Sequence, residues 1–186
     1  MSFIDNIRQS IGSYFFRRDV SNVKRNRFVM NLADAKTIGI IYDASEEDKY
    51  SVVSDFVRYF QDNQKIVKAL GFVNYNRLPH YCFPKLSYDY FTRRDLNWYF
   101  KPNSARVKDF MNEEFDIVID LCMHDCFPLN YVSALSKAKF KVGRYGEKHS
   151  EIYDFMLNMS AGITMQDYMK EAIHYLGIIN KNQESE

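Results

Sequence analysis

The chain has little net charge, few cysteines and no long apolar run, and each shortage removes a class of function. Twenty-five Lys and Arg against twenty-four Asp and Glu leave a formal charge of +1, so the total gives no reason to expect nucleic acid or an anionic membrane. Three cysteines without framework spacing argue against a disulfide-stapled secreted domain and fit a reducing compartment. Polar residues interrupt the opening segment MSFIDNIRQSIGSYFFRR every few positions, so it lacks the apolar stretch of a signal peptide. No uninterrupted apolar segment is long enough to span a bilayer, and a soluble, cytoplasmic protein is expected. Glycine is missing where a dinucleotide fold needs it. After Tyr42 the chain reads DASEED, which offers a pyrophosphate no close backbone approach and confronts it with acid. The GxxxxGK[ST] phosphate cradle is absent as well, and no cofactor is expected.

What remains is globular and rich in rings. At 186 residues the chain suits one domain. Aromatic residues make up 16% of it, with fourteen Tyr and fifteen Phe, so large rings must fill the core or coat a binding surface. Charge is spread unevenly. Residues 1–36 carry seven Lys or Arg against three Asp, a net of +4, while the other 150 carry eighteen basic against twenty-one acidic residues, a net of −3.

Apolar periodicity places the elements. Phe3, Ile4, Ile7, Ile11, Tyr14 and Phe15 recur at three- and four-residue spacing, which predicts an amphipathic helix ending at Arg17 and Arg18. Lys24, Arg25 and Arg27 follow in an extended arm. Thr37 to Tyr42 reads as a buried strand feeding a helix through Gln61, with Ser45 and Asp48 as a capping pair. Lys65 to Val73 is the next strand and completes a right-handed βαβ unit. The aromatic stretch 75–101 shows no sustained helical period, although Tyr88 to Thr92 fits a short strand after the loop marked by Pro79 and Pro84. Asn103 or Ser104 caps a short helix, Phe115 to Leu121 (FDIVIDL) is a buried strand, and Pro128 opens a helix reaching about Ala138. Phe140 to Gly143, then Tyr153 to Met159 at the sheet edge, are further strands, and Thr164 caps a last helix. The fold expected is α/β: a three-layer, Rossmann-like domain with a mainly parallel sheet of about five strands and an N-terminal amphipathic helix. Its parts are the helix and basic arm at 1–36, the domain at 37–180 and a polar tail at 181–186.

In such a sheet, ligands sit beyond the carboxyl ends of the strands, where the strand order reverses. Asp43 and Ser45 leave the first strand; Asp120, His124 and Asp125 leave FDIVIDL; Arg144 and Lys148 leave the next. Together they form a candidate crevice, although each polar residue could instead close a turn or cap a helix. Cys122, His124 and Cys126 form a C-x-H-x-C cluster to which His80 or Cys82 could add a fourth metal ligand. The preferred reading takes Cys122, which continues a buried strand, as a core residue and expects no metal, with the metal site as the alternative. Cys126 with His124 or His149 as base is a weaker nucleophile pairing.

A basic and aromatic surface is the other candidate. Arg17, Arg18, Lys24, Arg25 and Arg27, with Trp98 and exposed rings among Tyr81, Tyr88, Tyr90 and Tyr99, suit a protein partner or, alternatively, RNA. A membrane partner is not expected, since the first helix has few cations beside its polar face.

The run FDIVIDLCMHDCFPLNYVSALSKAKFKVGRYG, with LPHYCFPKLSYDYF and LNWYFKP before it, resembles an uncharacterised bacterial family, a domain of unknown function, over roughly residues 37–160. That resemblance implies a Rossmann-like domain without an established activity. FDIVIDL also looks like a strand of lipopolysaccharide-type glycosyltransferases, but the chain lacks the second domain that closes over a nucleotide sugar. The sequence alone favours a non-enzymatic binding or adaptor protein that engages a macromolecular partner through the basic, aromatic surface. The alternatives are a small enzyme or ligand sensor using the crevice, glycosyltransferase-like or nucleotide-related, and an RNA- or ribosome-associated protein.

Overall fold

The computed structural model describes residues 3–160 and 162–179, apart from the side chains at 3–6, 9 and 148. The elements are α1 (Phe3–Ser21), β1 (Thr37–Asp43), α2 (Glu47–Asp62), β2 (Ile66–Val73), β3 (Tyr88–Thr92), α3 (Ala105–Asn112), β4 (Ile117–Asp120), α4 (Phe127–Leu135), β5 (Phe140–Arg144), β6 (Phe155–Leu157) and α5 (Met165–Ile178), with 3-10 turns at Arg93–Asp95 and Glu147–His149. Six strands, where about five are expected, form one sheet in the order β3-β2-β1-β4-β5-β6. Every pairing in it is parallel. The chain starts in the middle, winds outward one way and then returns to wind outward the other way. This is the Rossmann arrangement, and the reversal between β1 and β4 leaves a crevice at their carboxyl ends.

Burial on both faces explains why the central strands read as unbroken apolar runs. On one face Ile38, Ile40, Ile117, Ile119 and Val142 meet α2 and α5 through Val53, Phe60, Tyr168 and Met169. On the other, Ile41, Leu70, Phe72 and Val118 meet α3 and α4 through Val107, Phe110, Leu129 and Val132. The crossover from β2 to β3 carries no helix. Residues 74–87 make that connection as a loop, with Pro79 and Pro84 inside it, and seat Tyr81 and Cys82 against the α2 side of the core.

The first helix runs to Ser21, three residues past the expected end at Arg18, and Ser21 Oγ and Asn22 Nδ2 both donate to the Arg18 carbonyl oxygen. It packs on α4: Phe16 meets Phe127 and Tyr131, while Phe15 stacks on Tyr99 at 4.8 Å. A Cβ on Gly12 would stand 2.7 Å from the Tyr99 carbonyl oxygen, so only glycine allows this approach. Asp19 receives hydrogen bonds from Lys101 Nζ at 2.6 Å and from the Tyr131 hydroxyl. Burial opposes ionisation of Asp19, and these two donors outweigh it and lower its pKa. Residues 22–36 then strap the amino end of the sheet, with Phe28 N donating to Lys139 O and Leu32 N to Leu176 O. Phe3, Ile4, Asp5, Asn6 and Gln9 have side chains outside the described residues, as do the tail 181–186 and the side chain of Lys148. No helix among the described residues is long and apolar enough to cross a membrane.

Candidate functional site

At the carboxyl end of β1, Asp43 is the junction of several contacts. Its Oδ1 accepts from Ser45 N at 3.0 Å and Ser45 Oγ at 2.5 Å. Its Oδ2 faces Lys49 Nζ at 3.4 Å and His124 Nε2 at 3.6 Å. Ser45 therefore does not cap α2. Glu46 holds that position without a side-chain cap bond, and the Ser45 hydroxyl instead accepts from Asn74 N at 2.9 Å. The turn is closed by side chains where a dinucleotide site would be closed by glycine.

Asp120, at the end of β4, takes a different role. It is 3% exposed and accepts from Ser133 Oγ at 2.5 Å, Tyr153 OH at 2.7 Å and Cys122 N at 2.9 Å. Burial pushes its carboxyl up, against the pull of those three donors. Tyr153 reaches it by lying across β5 at Gly143, where a Cβ would fall 2.4 Å from the ring. Asp120 is thus enclosed, and it fixes the turn that carries the residues after it. Arg144, at the end of β5, acts on the Tyr168 hydroxyl together with Asp120: burial raises that hydroxyl's pKa, the carboxylate adds to the rise and the guanidinium opposes it. Arg144 Nε and the Tyr168 hydroxyl are buried without a hydrogen-bond partner among the described residues.

The turn after β4 gathers Cys122, His124 and Cys126. The candidate ligand atoms of these three residues all lie within 4.8 Å of one another. Cys122 Sγ is 3.9 Å from His124 Nδ1 and donates to the His124 carbonyl oxygen at 3.2 Å. A hydrogen bond with Cys126, reinforced by burial, pushes the Cys122 thiol well up. The bond to Cys122 raises His124 against burial. The two outlying ligand candidates are elsewhere. Cys82 packs on the α2 side of the sheet, donating to Ala44 O at 3.8 Å, whereas Cys122 and Cys126 pack on the α3 and α4 side. His80 stands edge-on to Tyr81 in the β2–β3 loop. His149, the other proposed base, sits 3.3 Å from Arg144 O and edge-on to Tyr153.

Beside this turn opens a cavity of about 720 Å³, lined from four directions. The β2 end supplies Phe72 and Asn74; the segment after β3 supplies Arg93, Leu96, Asn97, Trp98 and Phe100; the β4–α4 turn supplies His124 to Pro128; and α1 supplies Arg8. Asp125, on this wall, accepts from Asn130 Nδ2 at 2.7 Å. Arg93 Nε donates to Asn74 Oδ1 at 2.8 Å. Arg8 lies over the Phe100 ring at 4.3 Å and donates to Trp98 O. Of the residues expected at a crevice, His124 and Asp125 line this space directly, Asp43 and Ser45 stand behind His124, and Asp120 and Arg144 are outside it. Sequence reasoning missed Arg8, Asn74, Arg93 and Phe100, because no local pattern joins α1 to the segment after β3.

The basic surface is dispersed. Arg25 grips Asp154 with two bonds of 2.8 and 2.6 Å and also donates to Ala138 O and Lys139 O. Arg27 Nε is 3.9 Å from the same carboxylate. Arg18 lies over the Phe15 ring, and Arg17 and Lys24 are exposed. Trp98 is at the opposite end of the sheet from Arg25. Among the rings, Tyr88 and Tyr90 are core residues and Tyr99 is taken up by Phe15.

No curated protein and no solved structure matches the chain. A family profile matches residues 8–179, nearly the whole of the described structure. The chain therefore belongs to the family of unknown function DUF6913.

Proposed function

We propose that this chain binds a small anionic molecule carrying a flat ring, in the cavity at the carboxyl edge of the sheet. The observation that carries this reading is the lining of that cavity: Arg8 and Arg93 stand among Phe72, Trp98, Phe100 and Phe127 in about 720 Å³. Guanidinium groups recognise carboxylate or phosphate through paired N–H donors, and rings grip a planar ligand by stacking. A space of this size beside the strand-order reversal suits one metabolite. The acidic start of α2, with Glu47 and Asp48 in its first turn, turns the usual pyrophosphate position against anions. The ligand then belongs on the β2, β3 and β4 loops. The sequence alone favours a macromolecular partner for the cations; their dispersal, with Arg25 committed to Asp154, favours the cavity.

A thermal-shift screen of the full chain against aromatic carboxylates and nucleoside monophosphates tests this. A ligand at a hundred times its Kd stabilises the fold by about 2.7 kcal/mol. That gain should fall away in Arg93→Gln and in Trp98→Ala. A screen without a stabilising compound, or stabilisation untouched by both substitutions, overturns the proposal.

A further inference from the structure

The β4–α4 turn carries a thiol and imidazole cluster of its own on one wall of the cavity. Two thiols and an imidazole are a soft to borderline donor set, and here they converge from a five-residue stretch. Around a tetrahedral Zn²⁺, with Zn–S near 2.3 Å and Zn–N near 2.0 Å, ligand atoms stand roughly 3.6 to 3.8 Å apart. Cys122 Sγ and His124 Nδ1 are already 3.9 Å apart, and no pair in the cluster exceeds 4.8 Å. Closing the set takes about 1 Å of side-chain motion.

The surroundings add an independent observation. A histidine that binds metal through one nitrogen commonly offers the other to a carboxylate, which fixes the ring. His124 turns Nδ1 toward Cys122 and Nε2 toward Asp43 Oδ2, 3.6 Å away. Asp43 is itself held by Ser45 and Lys49. The backbone is held too, since Cys122 N donates to buried Asp120. The cluster thus offers three candidate ligand atoms and a carboxylate beside the imidazole.

We propose that Cys122, His124 and Cys126 bind one Zn²⁺ through Sγ, Nδ1 and Sγ, with the fourth coordination position open to the cavity. Binding releases two thiol protons and forms two Zn–S bonds, so the ion and its two thiolates are together neutral. That neutrality favours Zn²⁺ over a monovalent ion between two buried thiols. His124 and Cys126 both line the cavity, which puts the open position where a water or a ligand oxygen can reach it. A site with three protein ligands is the kind that keeps a position for chemistry, whereas structural zinc sites are closed by four. The proposal stands on the thiol and imidazole cluster and does not require the anion reading of the cavity.

The test uses the full chain, reduced and freed of metal, titrated with Co²⁺ alone and then with Zn²⁺. One Co²⁺ per chain should bind with thiolate-to-cobalt charge-transfer absorption and the intense d–d bands of tetrahedral geometry, and equimolar Zn²⁺ should erase them. His124 is exposed enough for His124→Ala to fold, and this substitution and Cys126→Ser should each weaken binding at least tenfold. Asp43→Asn should weaken it about 10- to 100-fold. Pale octahedral spectra without a thiolate band overturn the proposal, as does binding unchanged in both ligand variants. It also falls if the reduced chain binds neither ion. Because no organic compound is present, failure here leaves the anion proposal standing, and failure of the ligand screen leaves this one standing.

Discussion

Replacing Lys141 with methionine should flatten the chain's stability between pH 7 and 9. Lys141 lies in β5 at 1% exposure, with Nζ donating to Ala134 O at 2.8 Å. Burial lowers its pKa from 10.5 to about 7, and Arg25 adds to the effect while Asp154 opposes it. Asp154 gives little relief because its two oxygens already serve Arg25. The unfolded chain therefore holds a proton on Lys141 between pH 7 and 10.5 that the folded chain has released. Stability rises with pH wherever the unfolded state binds more protons. The slope is about 1.4 kcal/mol per pH unit, and the rounding of the curve near pH 7 leaves about 2 kcal/mol gained from pH 7 to 9. Below pH 7 both states are protonated, and the contribution is constant. In urea, with m of about 1–3 kcal/mol per molar, the wild-type midpoint should climb by about 1 M across this range relative to Lys141→Met. The comparison of slopes ignores any fixed change in stability, such as that from the Ala134 carbonyl losing its donor. Measurement stops at pH 9 because Cys82, pushed to about 11 by burial, begins to destabilise the fold above that point. Parallel pH profiles for the two proteins would refute the reasoning, since they require Lys141 to stay charged in the fold.

Asp116 predicts a slope of the same sign at acid pH, here because its charged form stabilises the fold. Burial works against its charge, but hydrogen bonds from Lys139 and from the amides of Lys36 and Thr37 outweigh it and hold the carboxyl at about 2. Its stabilisation is present above pH 3.8 and lost as pH falls through about 2; screening of exposed Lys139 trims it to about 1 kcal/mol. Acid titrations of Asp116→Asn should converge on wild type below pH 2. Gly12→Ala should destabilise by about 1–2 kcal/mol despite alanine's better helix propensity, because the new methyl meets the Tyr99 carbonyl; equal or greater stability in chemical denaturation would count against the docking of α1. Asp120→Asn should cost about 2–3 kcal/mol, since an amide N–H₂ would replace one carboxylate oxygen among three donors. A thermal melt that matches wild type would show that those donors do not depend on the carboxylate.

The fold was legible where both sides of a strand are buried. Thr37 to Tyr42 and the FDIVIDL run are apolar without alternation because helices cover both faces of the sheet, and that pattern survives in the sequence alone. The edge strand expected over Tyr153 to Met159 is present but shorter: Phe155–Leu157 is three residues long, since its pairing with β5 runs only from Val142 to Arg144. Ser45 misled because its spacing to Asp48 imitates a cap, while its hydroxyl is taken by Asp43 and Asn74 from across the turn. The C-x-H-x-C spacing carried the thiol and imidazole cluster, being local. The separation of Cys82 from that cluster was not readable, because it depends on which sheet face each residue meets. The cavity was hidden for a similar reason: Arg8 and Trp98 are ninety positions apart.

That separation has a consequence for how the molecule assembles. The contacts that fasten α1, from Asp19 to Lys101 and Tyr131, close loops of 82 and 112 residues, and such closures come late in folding because chain entropy opposes them until the partner surface exists. The sheet can therefore form with its cavity still lacking one wall, and docking of the first helix is the step that closes it. By the same logic this helix is the part most easily lifted from the finished fold, so hydrogen exchange in α1 should run ahead of exchange in β1 and β4. A ligand held by Arg8 would slow it, making α1 the reporter of occupancy.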